Sequence, residues 1–440
     1  MRRISRAVAA TLATAAVLAA GGCGQPAPSA DPLERPADEI RLYGSDGNML
    51  NAVGDLLADY PDALTGMKGT TPLSRLSQSF RDRLRSIDSQ LKDEAYAGEA
   101  YDAVVISALA AQIALTTDPK AIAGQINGVT TGGTACETPG DCLALIDAGQ
   151  DILYKGISLG LGGFTEQGEP SASTFGILRF AAMNHLDSRQ TQYVPAGDPT
   201  TATTKRPPAP GTPSTGGQLT IGALLPHTGD LAGAGPPMFA GALLAIKEVN
   251  DAGGVLGRPV KWIDGDDFTD GAKAKGTVER LIGEGVHVII GAGASSITKA
   301  VLPTVLAAGV VLFSPCNTAA ELTNVDDKGL YFRTAPPDGL QAAALTDIIM
   351  RDGVRRIAIV ARDDAYGKGL MDSVRDDLIG AGLSAADIKT VPYNTDEPEF
   401  ESLGATMRSF APEGVLIIGY DETAKALDSI LKVGFTSRAI

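Results

Sequence analysis

PAGDPTTATTKRPPAPGTPSTGG, residues 195–217, decides how the rest of this chain is read. It consists largely of Pro, Thr, Gly and Ser and lacks apolar periodicity. It is therefore expected to be a surface linker, unable to bury enough area to offset its ordering entropy. The segment downstream of it reads like the opening of an α/β fold, and the segment upstream reads like the close of one. The linker joins an end to a beginning.

Downstream, short apolar strands alternate with amphipathic helices. LTIGALL (219–225), VKWID (260–264), VHVII (286–290) and VVLF (310–313) read as strands. MFAGALLAIKEVNDAGG (238–254) is a helix stopped by glycine, and further helices are expected over 271–282 and 296–308. LYFRTAPPD (330–338) ends this set. In the next set, helices at 340–353, 368–382, 400–410 and 423–435 alternate with strands RIAIVA (356–361), IKTVPY (388–393) and VLIIGY (415–420). This alternation predicts βαβ units and mostly parallel sheets flanked by helices. Another strand is due at residues 437–440, where the sequence ends.

That strand is present upstream. EIRLYGSDGN (39–48) reads as a strand and turn, MLNAVGDLLADY (49–60) as a helix, and TGMKGTTP (65–72) as an extended crossover. Residues 80–115 read as one long helix, amphipathic at first and then almost wholly apolar, hence buried. TFGILRF (174–180) closes the piece as a strand.

The 440 residues, 44% of them apolar, leave room for two core-bearing lobes. A net charge of −15 argues against nucleic acid, which needs a positive footprint. Arg2, Arg3 and Arg6, the apolar run 7–20 and the small residues Ala20, Gly21 and Gly22 read as an export signal over 1–22. Cys23 follows it directly and resembles the acylated cysteine of a bacterial lipobox, with Ala20 departing from the usual Leu. A secretory signal cleaved nearby, with Cys23 incidental, is the plainer alternative. Residues 23–38 then form a tether.

Export admits disulfides, and Cys136 and Cys142 flank a short loop with Pro and Gly that a bridge can close. Cys316 is left as a buried free thiol. No His or Cys stands near these residues at metal-ligand spacing, so neither a metal nor a cofactor is expected. His185, His227 and His287 lie far from any nucleophile motif, and His287 falls inside a strand, so the chain is not read as an enzyme.

Residues 220–260 resemble the opening of type I periplasmic binding proteins, the leucine/isoleucine/valine binders of ABC importers. IIGAGASS (289–296), SPCNTAAELT (314–323), DDAYGKGL (363–370) and IIGYDETAKAL (417–427) resemble that family's later motifs. YGSDGN (43–48), MKGTTP (67–72), YAGEAYDAV (96–104), CETPGDC (136–142) and FGILRF (175–180) resemble its last third, which here comes first. The resemblance thus implies a two-lobed fold, circularly permuted. Residues 218–334 would form the first lobe and 335–440 the second. Residues 39–66 and 181–194 would complete the second lobe, and 67–180 the first. Two truncated copies that pair between chains would be the alternative. The implied role is an extracytoplasmic, membrane-anchored, monomeric lipoprotein that binds an amino acid or related carboxylate and delivers it to a permease. A ligand sensor without a transport role is the other reading.

Ligands of open α/β sheets bind beyond the carboxyl ends of strands, often at helix N-termini. Ser295 and Ser296 stand where a strand, a glycine-rich turn and a helix meet, and are expected at the helix N-cap. The resemblance assigns Ser295 to a ligand carboxylate. It also implies backbone contacts from Cys316 and a hydroxyl and amide from Thr318. Tyr366 and Tyr420 would cover the ligand, and Asp46 would pair with an α-ammonium. Taken alone, these residues read as helix caps, packing tyrosines and a turn former. The family's first-loop aromatic aligns with Ala234, which implies a more open pocket there.

Overall fold

The structure, a computed structural model, describes residues 39–209, 217–394 and 400–437. The expected signal, tether and Cys23 lie outside the described residues, as do 210–216 of the linker.

Strand β1 (Glu39–Gly44) is followed by α1 (Asn51–Leu56), β2 (Lys68–Pro72), α2 (Gln78–Ile87), α3 (Ala97–Ala114) and α4 (Pro119–Val129). Next come β3 (Thr134–Cys136), α5 (Pro139–Asp147), β4 (Ile152–Tyr154), β5 (Ala172–Arg179) and β6 (Gln192–Gly197). Beyond the linker are β7 (Thr220–Leu224), α6 (Gly235–Asp251), β8 (Lys261–Ile263), α7 (Gly271–Gly283), β9 (Val288–Gly291), α8 (Ser295–Ala308), β10 (Val311–Ser314) and β11 (Tyr331–Arg333). The remainder is α9 (Asp338–Arg351), β12 (Ile357–Arg362), α10 (Ala365–Gly380), β13 (Ile388–Tyr393), α11 (Glu401–Phe410), β14 (Gly414–Ile418), α12 (Thr423–Lys432) and β15 (Thr436–Ser437).

The α/β class with mostly parallel sheets is present. One sheet runs β11-β10-β9-β7-β8, parallel throughout. The other runs β13-β12-β14-β1-β2-β5-β6, with β15 beside β1. β7, β9, β10, β12 and β14 are buried at every residue, as strands covered by helices on both faces must be.

β1 comes first in the chain yet lies between β14 and β2, parallel to both, with Leu42 opposite Val415 and Tyr43 opposite Lys68. The two pieces on either side of the linker therefore share one sheet. They also share the other lobe, where α3 packs along α6. Gly241 lets the two helices approach, because a Cβ there would stand 2.1 Å from the Ala97 carbonyl oxygen.

Four expectations are corrected. Residues 80–115 form two helices, because α2 ends at Ile87 and α3 begins after Tyr96, whose φ of 62° is left-handed. Asp93 pins the break by accepting hydrogen bonds from the Asn51 amide and side chain. Residues 68–72 are not a free crossover: β2 pairs with β1 and with antiparallel β5. Consequently β2 and β5, expected in the first-lobe piece 67–180, belong to the larger sheet. The linker, finally, is docked where it is described. β6 runs on to Gly197, Thr203 donates from its amide to Phe164, and Gln125 donates to the Pro208 carbonyl. Pro207 and Pro208 seat against Gly128 and Gly124, one turn apart on α4. Proline has little entropy to lose, so even a modest contact orders it.

Cys136 and Cys142 are bridged, with Cα atoms 5.4 Å apart at the start of α5, where Thr138 accepts from the Asp141 amide. Mass spectrometry of a non-reduced digest is expected to recover the two as a linked peptide. Recovery of both as alkylated thiols without reduction would refute the bridge.

Candidate functional site

Six loops that leave the carboxyl ends of β1, β7, β9, β10, β12 and β14 meet between the two sheets. Asp46, Gly47, Tyr96, Leu231, Gly293, Ser295, Cys316, Thr318, Tyr366 and Tyr420 line a tight cavity there. Six of the seven residues expected at the ligand thus converge on one cavity. Ser296 is the exception: it is half-buried and outside the lining.

Asp46 leaves β1 in a turn that Asn48 braces, accepting from the Ser45 amide and donating 2.8 Å to the Ile417 carbonyl on β14. Its buried carboxylate accepts from the hydroxyls of Tyr96 and Tyr366 and from Gln341 Nε2 at 2.8 Å. Burial raises its pKa, and these three donors oppose that rise. Tyr96 reaches Asp46 from the break between α2 and α3, so the interruption of the expected helix is what supplies this wall.

Across the cavity stands the start of α8. Ala294 is the N-cap, without a side-chain cap, and Ser295 is the first helical residue, so neither serine caps the helix. The Ser295 hydroxyl instead accepts from the Ala319 amide at 3.3 Å. The first-turn amides of α8 have no intrahelical partner and carry the positive end of the helix dipole, which suits an anion. The Cys316 amide donates to Ser314 Oγ at 3.2 Å, so that backbone group is committed within the protein. Cys316 lines the cavity, and burial pushes the pKa of its thiol well up. Asn317 and Asp267 fix the neighbouring loops. Asn317 donates to the Ala292 and Gly293 carbonyls, and Asp267 accepts from the Gly293 amide at 2.8 Å with its pKa pushed by burial to about 7.

The aromatic wall is Tyr366 stacked on Tyr420, their centroids 5.5 Å apart and planes 11° from parallel. Arg362 lies 3.8 Å from the Tyr420 centroid and is held at 2.7 Å by both Asp364 and Glu422. From the first loop the cavity receives Leu231 rather than the residue at 234, so this side is closed by an aliphatic group. The openness expected from Ala234 is not found.

Sequence reasoning missed Tyr96, Leu231, Gln341, Gly47 and Gly293. Gly47, Tyr96, Leu231 and Gly293 lay in stretches already singled out for the resemblance, and Gln341 did not. Among the described residues no group of three His, Cys, Asp or Glu could hold a metal ion, and no histidine lines the cavity. His287 accepts from the Thr220 amide through Nδ1. The arrangement has a carboxylate at one end, helix amides at the other and an aromatic wall between.

Two loops close over the cavity. Asp421 donates its amide to the Asp230 carbonyl at 3.0 Å and accepts from the Gly233 amide at 3.3 Å. Burial pushes its pKa to about 6. When the loops part, this carboxyl returns toward the ordinary value near 3.8. Closure therefore takes up a proton, is favoured fully below about pH 4, and weakens as pH rises from about 4 to 6. Asp421→Asn is expected to remove this component. The ratio of wild-type to variant Kd should then be larger at pH 7.5 than at pH 5. A ratio that does not change with pH would refute the latch.

The model of the family described as "Periplasmic binding protein" matches residues 218–440. A Leu/Ile/Val-binding protein homolog 3 of Brucella melitensis is 28% identical over 208 residues, covering 46% of this chain and 54% of that protein. The leucine-, isoleucine-, valine-, threonine-, and alanine-binding protein of Pseudomonas aeruginosa is 30% identical over 196 residues, covering 44% and 52%. The chain spans about half the length of the curated relatives it matches. Among solved structures, the branched-chain amino acid binding protein LivJ of Streptococcus pneumoniae, in complex with isoleucine, aligns with a TM-score of 0.43 and 21% identity, covering 50% of this chain and 63% of that one.

Proposed function

This chain belongs to the periplasmic binding protein family, and we propose that it is an extracytoplasmic solute-binding protein that closes on an amino acid or similar small carboxylate. The observation that carries this reading is the cavity itself. Residues drawn from loops far apart in the sequence meet there; in this reading Asp46 takes an ammonium, the start of α8 a carboxylate, and Tyr366 and Tyr420 cover the side chain. The names of the relatives point the same way.

In this reading Cys23 anchors the protein to the membrane as a lipoprotein, and the partner is an ABC permease that receives the solute. The fold is a circular permutant. Residues 218–440 carry the family's first part and 39–194 its last, joined through the docked linker. Support for the permutation comes from β1, which inserts between β14 and β2, and from β15, whose Thr436 and Ser437 pair with Glu39 and Ile40.

A thermal-shift panel of branched-chain, small and aromatic amino acids and their deaminated acids tests the binding role. A ligand at one hundred times its Kd adds about 2.7 kcal/mol of stability, a shift of several degrees. If no amino acid on the panel moves the transition at millimolar concentration, the proposal is wrong.

A further inference from the structure

We propose that Arg362 is a positioning residue of the solute site, which holds Tyr420, and through it Tyr366, in the wall of the cavity. The inference rests on the solute-binding reading and extends it to a residue behind the lining. Arg362 is the last residue of β12 and is buried. Its Nε donates to Asp364 and its Nη1 to Glu422, both at 2.7 Å. Its guanidinium carbon stands 3.8 Å from the centroid of the Tyr420 ring.

Asp364 and Glu422 belong to the two loops that carry the tyrosines. Asp364 caps α10, accepting from the Gly367 amide at 2.9 Å, and Tyr366 is the second residue of that helix. Glu422 accepts from the Tyr420 amide at 3.2 Å and from the Tyr393 hydroxyl at 2.6 Å. One planar group thus ties together the carboxyl ends of β12, β13 and β14. The backbone leaves little slack around it. A Cβ at Gly367 would stand 2.2 Å from the Arg362 carbonyl oxygen, and one at Gly419 would stand 2.1 Å from the Tyr393 hydroxyl.

The two rings depend on this frame to different degrees. Tyr366 is fixed at its hydroxyl, which lies 2.7 Å from Ser45 Oγ and 2.6 Å from Asp46. Tyr420 is held through its ring, by Arg362 and by the stacked Tyr366. A buried ion-paired cluster adds little stability over apolar residues of the same volume, and its best-attested use is to fix register. A guanidinium suits that task, because its face stacks on a ring while its edge donates to two carboxylates. An ammonium has no flat face to stack.

L-leucine binding is measured calorimetrically for the wild type, Arg362→Lys, Tyr420→Leu and the double variant. Arg362→Lys keeps the charge and loses the stacked fork, and is expected to weaken L-leucine about tenfold. In the Tyr420→Leu background the same change should cost less than about threefold, because the ring through which Arg362 acts is gone. An arginine that serves stability alone would lower the melting temperature in both backgrounds, with leucine affinity unchanged or reduced equally in both. Either pattern of affinity overturns the assignment. Near-UV circular dichroism of the ligand-free proteins follows the tyrosine pair itself. Arg362→Lys and Tyr420→Leu should lose the same tyrosine signal, and the double variant no more than either. If wild-type protein does not bind L-leucine, the amino-acid reading has failed and this spectrum decides alone: the shared loss upholds the role of Arg362, and an unchanged signal in Arg362→Lys overturns it. Arg362→Gln, planar and neutral, is read in the same way if the lysine variant does not fold. If neither folds, Arg362 is a residue of the fold alone and the assignment falls.

Discussion

Residues 217–440, produced without residues 39–194, are expected not to fold. Their larger sheet would lose β1, which pairs with β14 on one side and β2 on the other, and with it the buried Ile40, Leu42 and Tyr43. Their smaller sheet would lose α3, sixteen of whose eighteen residues are buried. Each fully buried Val, Leu or Ile contributes about 1.5–3 kcal/mol. Ile40, Leu42, Val104, Val105, Ile106 and Leu109 together therefore match about the whole stability of an ordinary domain, 5–15 kcal/mol. The complement of this experiment tests the permutation. A chain reordered as 217–440 followed directly by 41–194 is expected to fold as a monomer and bind the same ligand, because every described strand pairing is retained except the Glu39–Ile40 edge and the Pro195–Gly197 end of β6. Circular dichroism, gel filtration and calorimetry on both proteins decide it. If the reordered chain is insoluble while the natural order binds ligand only as an obligate dimer, the two pieces pair between chains and the permutant reading falls.

Asp46→Asn is expected to weaken leucine binding by two to three decades while leaving folding largely intact. A ligand ammonium would face a neutral amide in a buried site. Removing one partner of a buried charge pair costs about 3–5 kcal/mol, and every 1.4 kcal/mol is about tenfold in Kd. Folding suffers less, because an Asn oxygen in the place of Oδ1 still accepts from Tyr366 and Gln341, and the Tyr96 hydroxyl can turn to accept from the amide nitrogen in the place of Oδ2. Calorimetry that finds Kd changed by less than about threefold would remove Asp46 from the site.

These two results probe different layers. The first asks whether long-range pairing holds the fold together, and the second whether the fold delivers one charge to one place. The link between them is β1, since the strand that completes the sheet also carries Asp46 at its carboxyl end. A variant that unpairs β1 is expected to lose both properties at once.

Local chemistry wrote much of this fold into the chain. Apolar runs such as GVLII and IAIVA read as covered strands, and their alternation with amphipathic helices points to parallel sheets. Since ligands gather beyond the carboxyl ends of such strands, Asp46, Ser295, Cys316, Thr318, Tyr366 and Tyr420 were also legible as candidates, once the resemblance singled them out. The features that sequence could not specify depend on partners far away in the chain. An apolar run at 97–114 says helix, but only the pinning of Asp93 by Asn51 breaks it before Tyr96 and turns that hydroxyl onto Asp46. A Pro/Thr stretch says linker, but only glycines one turn apart on α4 give its prolines a seat. Gln341 carries no local signal at all. It matters because α9 starts where the two sheets meet, and that juxtaposition exists only once both sheets have closed around residues that the sequence keeps hundreds of positions apart.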